Sequence, residues 1–162
     1  MTWIVKGCGA SRAGTHSIAW IIWYIARCED ITMNLLVADR PQVLHKSRWL
    51  DRMKVTVCDT GNAMNEAEIV EYSRAVDCAA LRAYSQAVGR STREIVRQLE
   101  PAQLKQKVEP ARMQRVMDEG TVVPAAQGVA DYWAGRTIAG LLLMPAPRHN
   151  FVHLNEALRL KS

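Results

Sequence analysis

The stretch His16-Ser-Ile-Ala-Trp20-Ile-Ile-Trp23-Tyr24-Ile-Ala-Arg27-Cys28-Glu-Asp30 decides the fold. Ser17, Trp20, Ile21, Tyr24, Cys28, Ile31 and Leu35 recur at three- and four-residue spacing, which places them along one side of a helix and predicts a core-facing stripe. The pattern holds to Val37, so a helix is expected over 16–37, about 33 Å at about 1.5 Å per residue. Its longest uninterrupted apolar run, Ile18 to Ala26, is too short to span a bilayer and reads as a buried segment. Tyr24 lies on the stripe and is turned inward. His16 falls off it, two turns away, and reads as a terminal or surface histidine.

Ahead of this helix, Gly7, Gly9 and Gly14 make residues 1–15 an irregular arm. The string from Gly9 to Thr15 is not a phosphate-binding loop, because Thr15 and His16 stand where that loop needs a lysine. Pro41 ends any continuation of the helix, and 41–65 reads as a connection around the turn Asp59-Thr60-Gly61-Asn62, with His45 a loop histidine. Asn65 and Glu68 predict a capped helix over 66–88, packed through Ile69, Ser73, Val76, Ala80, Ala83 and Ala87. Gly89 is expected to interrupt it, and Ser91-Thr-Arg-Glu94 to kink or restart it. Pro101 and Pro110 each open a short helix, the second closed by Gly120. A further piece spans Ala125 to Gly135, and Thr137 caps one through Leu143. No strand signal competes, so the reading is all-α: one domain of 162 residues, a bundle of up to four principal helices with short accessory ones.

The last helix, Pro147 to Ser162, carries the spacing that asks for chemistry. His149 and His153 are one turn apart, so both imidazoles project from one side and can converge on one ion. Glu156 and Leu160 continue that stripe, while Phe151, Leu154 and Leu158 form a second that wants cover from the 137–143 helix or another subunit. A divalent site needs at least one more protein ligand from another helix.

The net charge of +5 comes from scattered lysines and arginines with acidic residues among them. A solvated surface accounts for it, and no basic arm or aromatic-basic interleave points to nucleic acid. Cys8, Cys28, Cys58 and Cys78 form no CxxC pair, and no signal-peptide pattern opens the chain, which reads as a reduced, cytoplasmic protein with no membrane span.

The stretch from His16 to Asp30, together with Leu141-Leu-Leu-Met-Pro-Ala-Pro-Arg-His149-Asn-Phe-Val-His153-Leu-Asn155-Glu156-Ala, resembles the DinB-like four-helix bundle superfamily. Leu81-Arg-Ala-Tyr84 and Tyr132-Trp133 fit the same pattern, so the likeness covers most of the chain from about residue 15. The resemblance implies a four-helix bundle with three histidines around a zinc or nickel ion, one from an early helix and two from a closing HxxxH. It also implies transfer or isomerisation chemistry with a low-molecular-weight thiol and a small electrophile, and a homodimer. His149 and His153 match the closing pair. Tyr24 occupies the position where Trp-x-x-Trp-His would place the early ligand, and a phenol with an ordinary pKa near ~10 must lose a proton to ligate. Cys28 and Glu156 are the residues near enough in register to substitute, and Tyr24 and Arg27 are the candidate catalytic residues, Arg27 by orienting an anionic substrate. The alternative is a bundle that has lost the metal and binds a small ligand or pairs with itself.

Overall fold

The computed structural model describes residues 16–144 and 149–159, with the backbone alone at His149. The irregular arm expected over 1–15, the 145–148 turn and the side chain of His149 therefore lie outside the described residues. Within them the fold is all-α. Eight α-helices follow one another: α1 (Ile18–Asp30), α2 (Trp49–Met53), α3 (Glu66–Ala75), α4 (Cys78–Gln98), α5 (Pro110–Asp118), α6 (Gln127–Ala134), α7 (Ile138–Leu143) and α8 (His149–Arg159). None is long and apolar enough to cross a membrane.

α1 is the axis. It packs against α3, α4 and α8, and its continuation through Ile31–Val37 packs against α4, α5 and α7. Two apolar cores share this axis. One gathers Trp20, Ile21 and Trp23 with Trp49, Met53, Ile69, Leu81, Tyr84 and Val88. The other gathers Ile31, Met33, Leu35 and Leu36 with Ile95, Val116, Trp133 and Leu141. A fully buried side chain of this size contributes about 1.5–3 kcal/mol relative to exposure, and the stripe read from the sequence supplies members of both cores, Trp20 and Ile21 to one and Ile31 and Leu35 to the other.

The helix does run to Val37, but from Ile31 it widens into π-helical turns. The Thr32 hydroxyl donates to the Cys28 carbonyl at 2.6 Å, competing with the backbone for that acceptor. Ala38 N–H then bonds Met33 O, five residues back. Such widened turns cluster where side chains are re-aimed; here they keep Ile31 through Val37 buried.

Helix starts follow the capping residues. Asn65 accepts from Glu68 N–H while the Glu68 carboxylate accepts from Asn65 N–H, a reciprocal cap. Pro110 opens α5 and Thr137 caps α7. Breaks are different. The helix expected over 66–88 divides at Val76 and Asp77, because the Asp77 carboxylate accepts from Ala80 N–H and starts a new helix there. Gly89 interrupts nothing and sits inside the unbroken α4.

A Cβ added at Gly89 would come no closer to a neighbour than 3.8 Å, to Arg93 Nη1. Glycine in a helix interior costs about 0.5–1 kcal/mol relative to alanine. Gly89→Ala is therefore expected to raise stability by about that amount, read as a higher midpoint in urea denaturation; a lower midpoint would contradict the open space seen there.

The chain also departs from the fully reduced reading. Cys28 and Cys58 are free thiols, whereas Cys78 is disulfide-bonded.

Candidate functional site

The site is built where the start of α1 meets α8. Ser17 is the N-cap of α1, accepting from Trp20 N–H at 3.0 Å and bonding the Ser73 hydroxyl of α3 at 2.5 Å. With the helix start fixed, Trp20 and Tyr24 stand one turn apart and their rings stack, centroids 5.0 Å apart. Trp20 is pinned by donating its indole N–H to Gly61 O at 3.1 Å. Gly61 has φ +80, and a Cβ there would lie 3.1 Å from Trp20 Nε1, so the turn read from Asp59-Thr60-Gly61-Asn62 positions the aromatic column only with glycine at that place.

His16 is part of this column. Its ring stacks on Trp20 with centroids 3.9 Å apart, and its Nδ1 lies 2.7 Å from Glu156 Oε1. His153 Nδ1 lies 2.9 Å from the other oxygen, Oε2. One carboxylate thus joins a histidine ahead of α1 to a histidine on α8. The terminal or surface position expected for His16 is what is found, ahead of the N-cap with its side chain 43 % exposed; its bond to Glu156 is the part the spacing did not show, because Ser17 is extended with φ −78 and ψ 158 and His16 is not held to the projection angle of the helical stripe.

A carboxylate has only acceptors, so both Nδ1 atoms are donors here, and in the neutral rings the lone pair falls on Nε2. Partial burial alone would raise the Glu156 pKa, and the bonds from His153 and His16 outweigh it, holding the group below its usual 4.5. A depressed carboxylate contributes stability that is complete above the unfolded value and is lost as pH falls through the lower folded value. Docking of α8 on α1 is therefore expected to weaken on acidification below about pH 4.5, followed by tryptophan fluorescence, and Glu156→Gln should remove that acid-side dependence. The same acid transition in Glu156→Gln would contradict the bridge.

Tyr24 does face the closing helix: its ring meets His153 edge-on, centroids 5.0 Å apart. Its hydroxyl accepts from Asn62 Nδ2 at 3.4 Å and shares a hydrogen bond with Cys28. Burial, reinforced by Cys28, pushes the phenol well above its ordinary pKa. Burial also pushes the Cys28 thiol up to about 12 against the opposing influence of Tyr24 and Arg27. Both groups are neutral at physiological pH. His149 rises from the same helix as His153 one turn earlier, and its side chain lies outside the described residues.

The residues therefore fit a zinc or nickel ion poorly as a set. An imidazole nitrogen of His153 is a donor that suits either metal, but the protonated phenol at 24 and protonated thiol at 28 are not ligands without an ionisation that the burial opposes. Beside them lies a cavity of about 260 Å³, lined by Tyr24, Cys28, Val129, Tyr132, Trp133 and Met144. Its walls are π faces, aliphatic carbon and sulfur. Arg136 stacks over the Tyr132 ring at 4.0 Å.

Arg27 is not at the site. Its side chain is fully buried and donates to Cys58 O, Asp30, Tyr84 and Gln42 at 2.6–3.2 Å. Every nitrogen is engaged inside the protein, so the substrate-orienting role expected from the sequence gives way to a structural one. Compared with known proteins, the chain matches no family model and no curated protein.

Proposed function

We propose that this chain is a DinB-like helical bundle that binds a small, largely apolar molecule in the Tyr24 cavity and has given up tight binding of a resident metal. Tyr24 carries this reading. It occupies the position of the early ligand, adjoins His153, and is kept protonated by its burial. A neutral phenol closes one end of an aromatic cavity and offers its ligand a hydrogen bond. It does not replace an imidazole toward zinc. The apolar face of α8 supports the homodimer expected of such a bundle, since Phe151, Val152, Leu154 and Leu158 are all more than half exposed.

A second reading, metal-dependent transfer between a low-molecular-weight thiol and a small electrophile, is favoured by one observation. The Glu156 carboxylate on His153 Nδ1 is the partner that metal-bound histidines ordinarily have, orienting Nε2 toward an ion. Metal analysis of the purified protein beside Tyr24→His separates the two. The first reading expects substoichiometric zinc and nickel in the natural chain and one equivalent in the variant. One tightly held equivalent in the natural chain would establish the second.

A further inference from the structure

Cations that look scattered along the sequence are gathered by one helix. α4 holds four arginines, Arg82, Arg90, Arg93 and Arg97, with no lysine and one carboxylate, Glu94. At about 3.6 residues per turn the four positions fall within an arc of roughly 80°, and from first to last they run about 22 Å. All four are exposed. The side chains of Arg82, Arg90 and Arg97 enter no hydrogen bond or ion pair among the described residues. Arg93 faces the half-buried carboxylate of Glu29, and Glu94 turns to Arg40 at 3.5 Å. The stripe is therefore a line of positive charge that its own helix does not neutralise.

This face is not arranged for the stability of the helix. Arg90 and Arg93 are three residues apart and Arg93 and Arg97 four, spacings at which like charges oppose a helix. Gly89 adds a second local cost at the edge of the stripe, where a Cβ would have had open space. Both features suit an extended anion: cations in line with its charge, and a helix surface low enough at Gly89 for a bulky chain to come close. Every cation in the stripe is an arginine, whose planar fork pairs two phosphate oxygens at once.

We infer that the exposed face of α4 docks on the phosphodiester backbone of duplex nucleic acid without reading its sequence. A duplex carries one negative charge per about 1.7 Å of axis, so a line of about 22 Å has phosphates for all four guanidinium groups. Such contacts fix position and carry no base information. Two other polyanions suit the face less well. An anionic bilayer holds an amphipathic helix by its apolar side, and in α4 that side, Leu81, Tyr84, Val88 and Ile95, is buried in the two cores. A single strand is gripped by aromatic side chains that stack on its bases, and the one aromatic residue of α4, Tyr84, is buried. No residue of the Tyr24 cavity or of the histidine bridge belongs to α4, so this assignment does not rest on the small-molecule reading.

The probe is a short fluorescein-labelled DNA duplex of arbitrary sequence, titrated with the full chain and followed by anisotropy. Saturable binding is expected at low salt. With four phosphate contacts at about −0.9 each, the logarithmic salt slope should be about −3.6, a loss of about 10²-fold in affinity between about 50 and about 200 mM salt. Arg82→Gln combined with Arg97→Gln should halve the slope to about −1.8. The melting temperature of that variant should not fall, because neither side chain has a partner in the free protein. Lys107→Gln combined with Arg136→Gln removes the same charge outside α4 and is expected to leave the slope at its natural value. No saturable binding at low salt, a natural slope in the α4 variant, an equal loss in both variants, or tighter binding of phosphatidylserine vesicles or of single-stranded DNA than of the duplex would each overturn the assignment.

Discussion

Asp30→Ala is expected to cost on the order of 3–5 kcal/mol, the penalty for breaking a buried ion pair by removing one partner. Asp30 is fully buried. Its Oδ1 accepts from Asn34 Nδ2 at 2.9 Å and Val43 N–H at 2.8 Å. Its Oδ2 accepts from Leu44 N–H at 2.9 Å, Tyr84 OH at 2.7 Å and Arg27 at 3.2 Å. Alanine would strand two backbone donors and leave the Arg27 guanidinium without its counter-charge. It would also cut the polar tie between α1, α4 and the 43–45 turn. Small domains are stable by only about 5–15 kcal/mol, so a loss of this size moves the denaturation midpoint far down or abolishes folding. Asp30→Asn, which keeps the shape and one carbonyl acceptor, is expected to fall between the natural protein and the alanine variant. Urea denaturation followed by far-ultraviolet circular dichroism measures both, and a cost below about 1 kcal/mol for alanine would show that the network is not what holds α1 in place.

Tyr24→His is expected to raise zinc or nickel affinity at pH 7 by about 10²-fold or more. Ionising even an unperturbed phenol at that pH costs about 4 kcal/mol, three pKa units at about 1.36 kcal/mol each. Burial at position 24 moves the group further in the same direction. Neutral imidazole carries no such cost, and position 24 already adjoins His153, whose Nδ1 is held by Glu156. An imidazole can keep the stacking on Trp20, while the substitution removes the 3.4 Å hydrogen bond that Asn62 donates to the phenol. Isothermal titration with zinc and with nickel measures the change. If the variant gains no affinity, residue 24 and the closing histidines do not converge on one ion, and the DinB-like reading of the site fails with them.

What could be read along the chain and what could not divide by range. Asn65 with Glu68, Pro110 and Thr137 mark helix starts because a cap is a bond between residues three apart, and the sequence displays both partners. Gly89 misled because its propensity cost is small beside the packing of Tyr84, Val88, Thr92 and Ile95 along the same helix, all buried. Arg27 misled because its place near Tyr24 suggested a residue that orients an anionic substrate, whereas the acceptors that occupy its guanidinium beside Asp30 arrive from Cys58, Tyr84 and Gln42, far away in sequence or across a turn. A signal was present even so: Arg27 and Asp30, opposite charges three residues apart, both fall among the buried positions of α1.

From sequence alone came the helical class, the inward stripe from Trp20 to Leu35, most helix starts and the one-turn register of His149 and His153, since each follows from periodicity or from bonds between near neighbours. Only the tertiary structure decided that Glu156 joins His16 to His153, that Arg27 belongs to the core, and that Tyr24 is held neutral beside an aromatic cavity. Those depend on which helices meet and on how much water their meeting removes, quantities that a linear spacing does not contain.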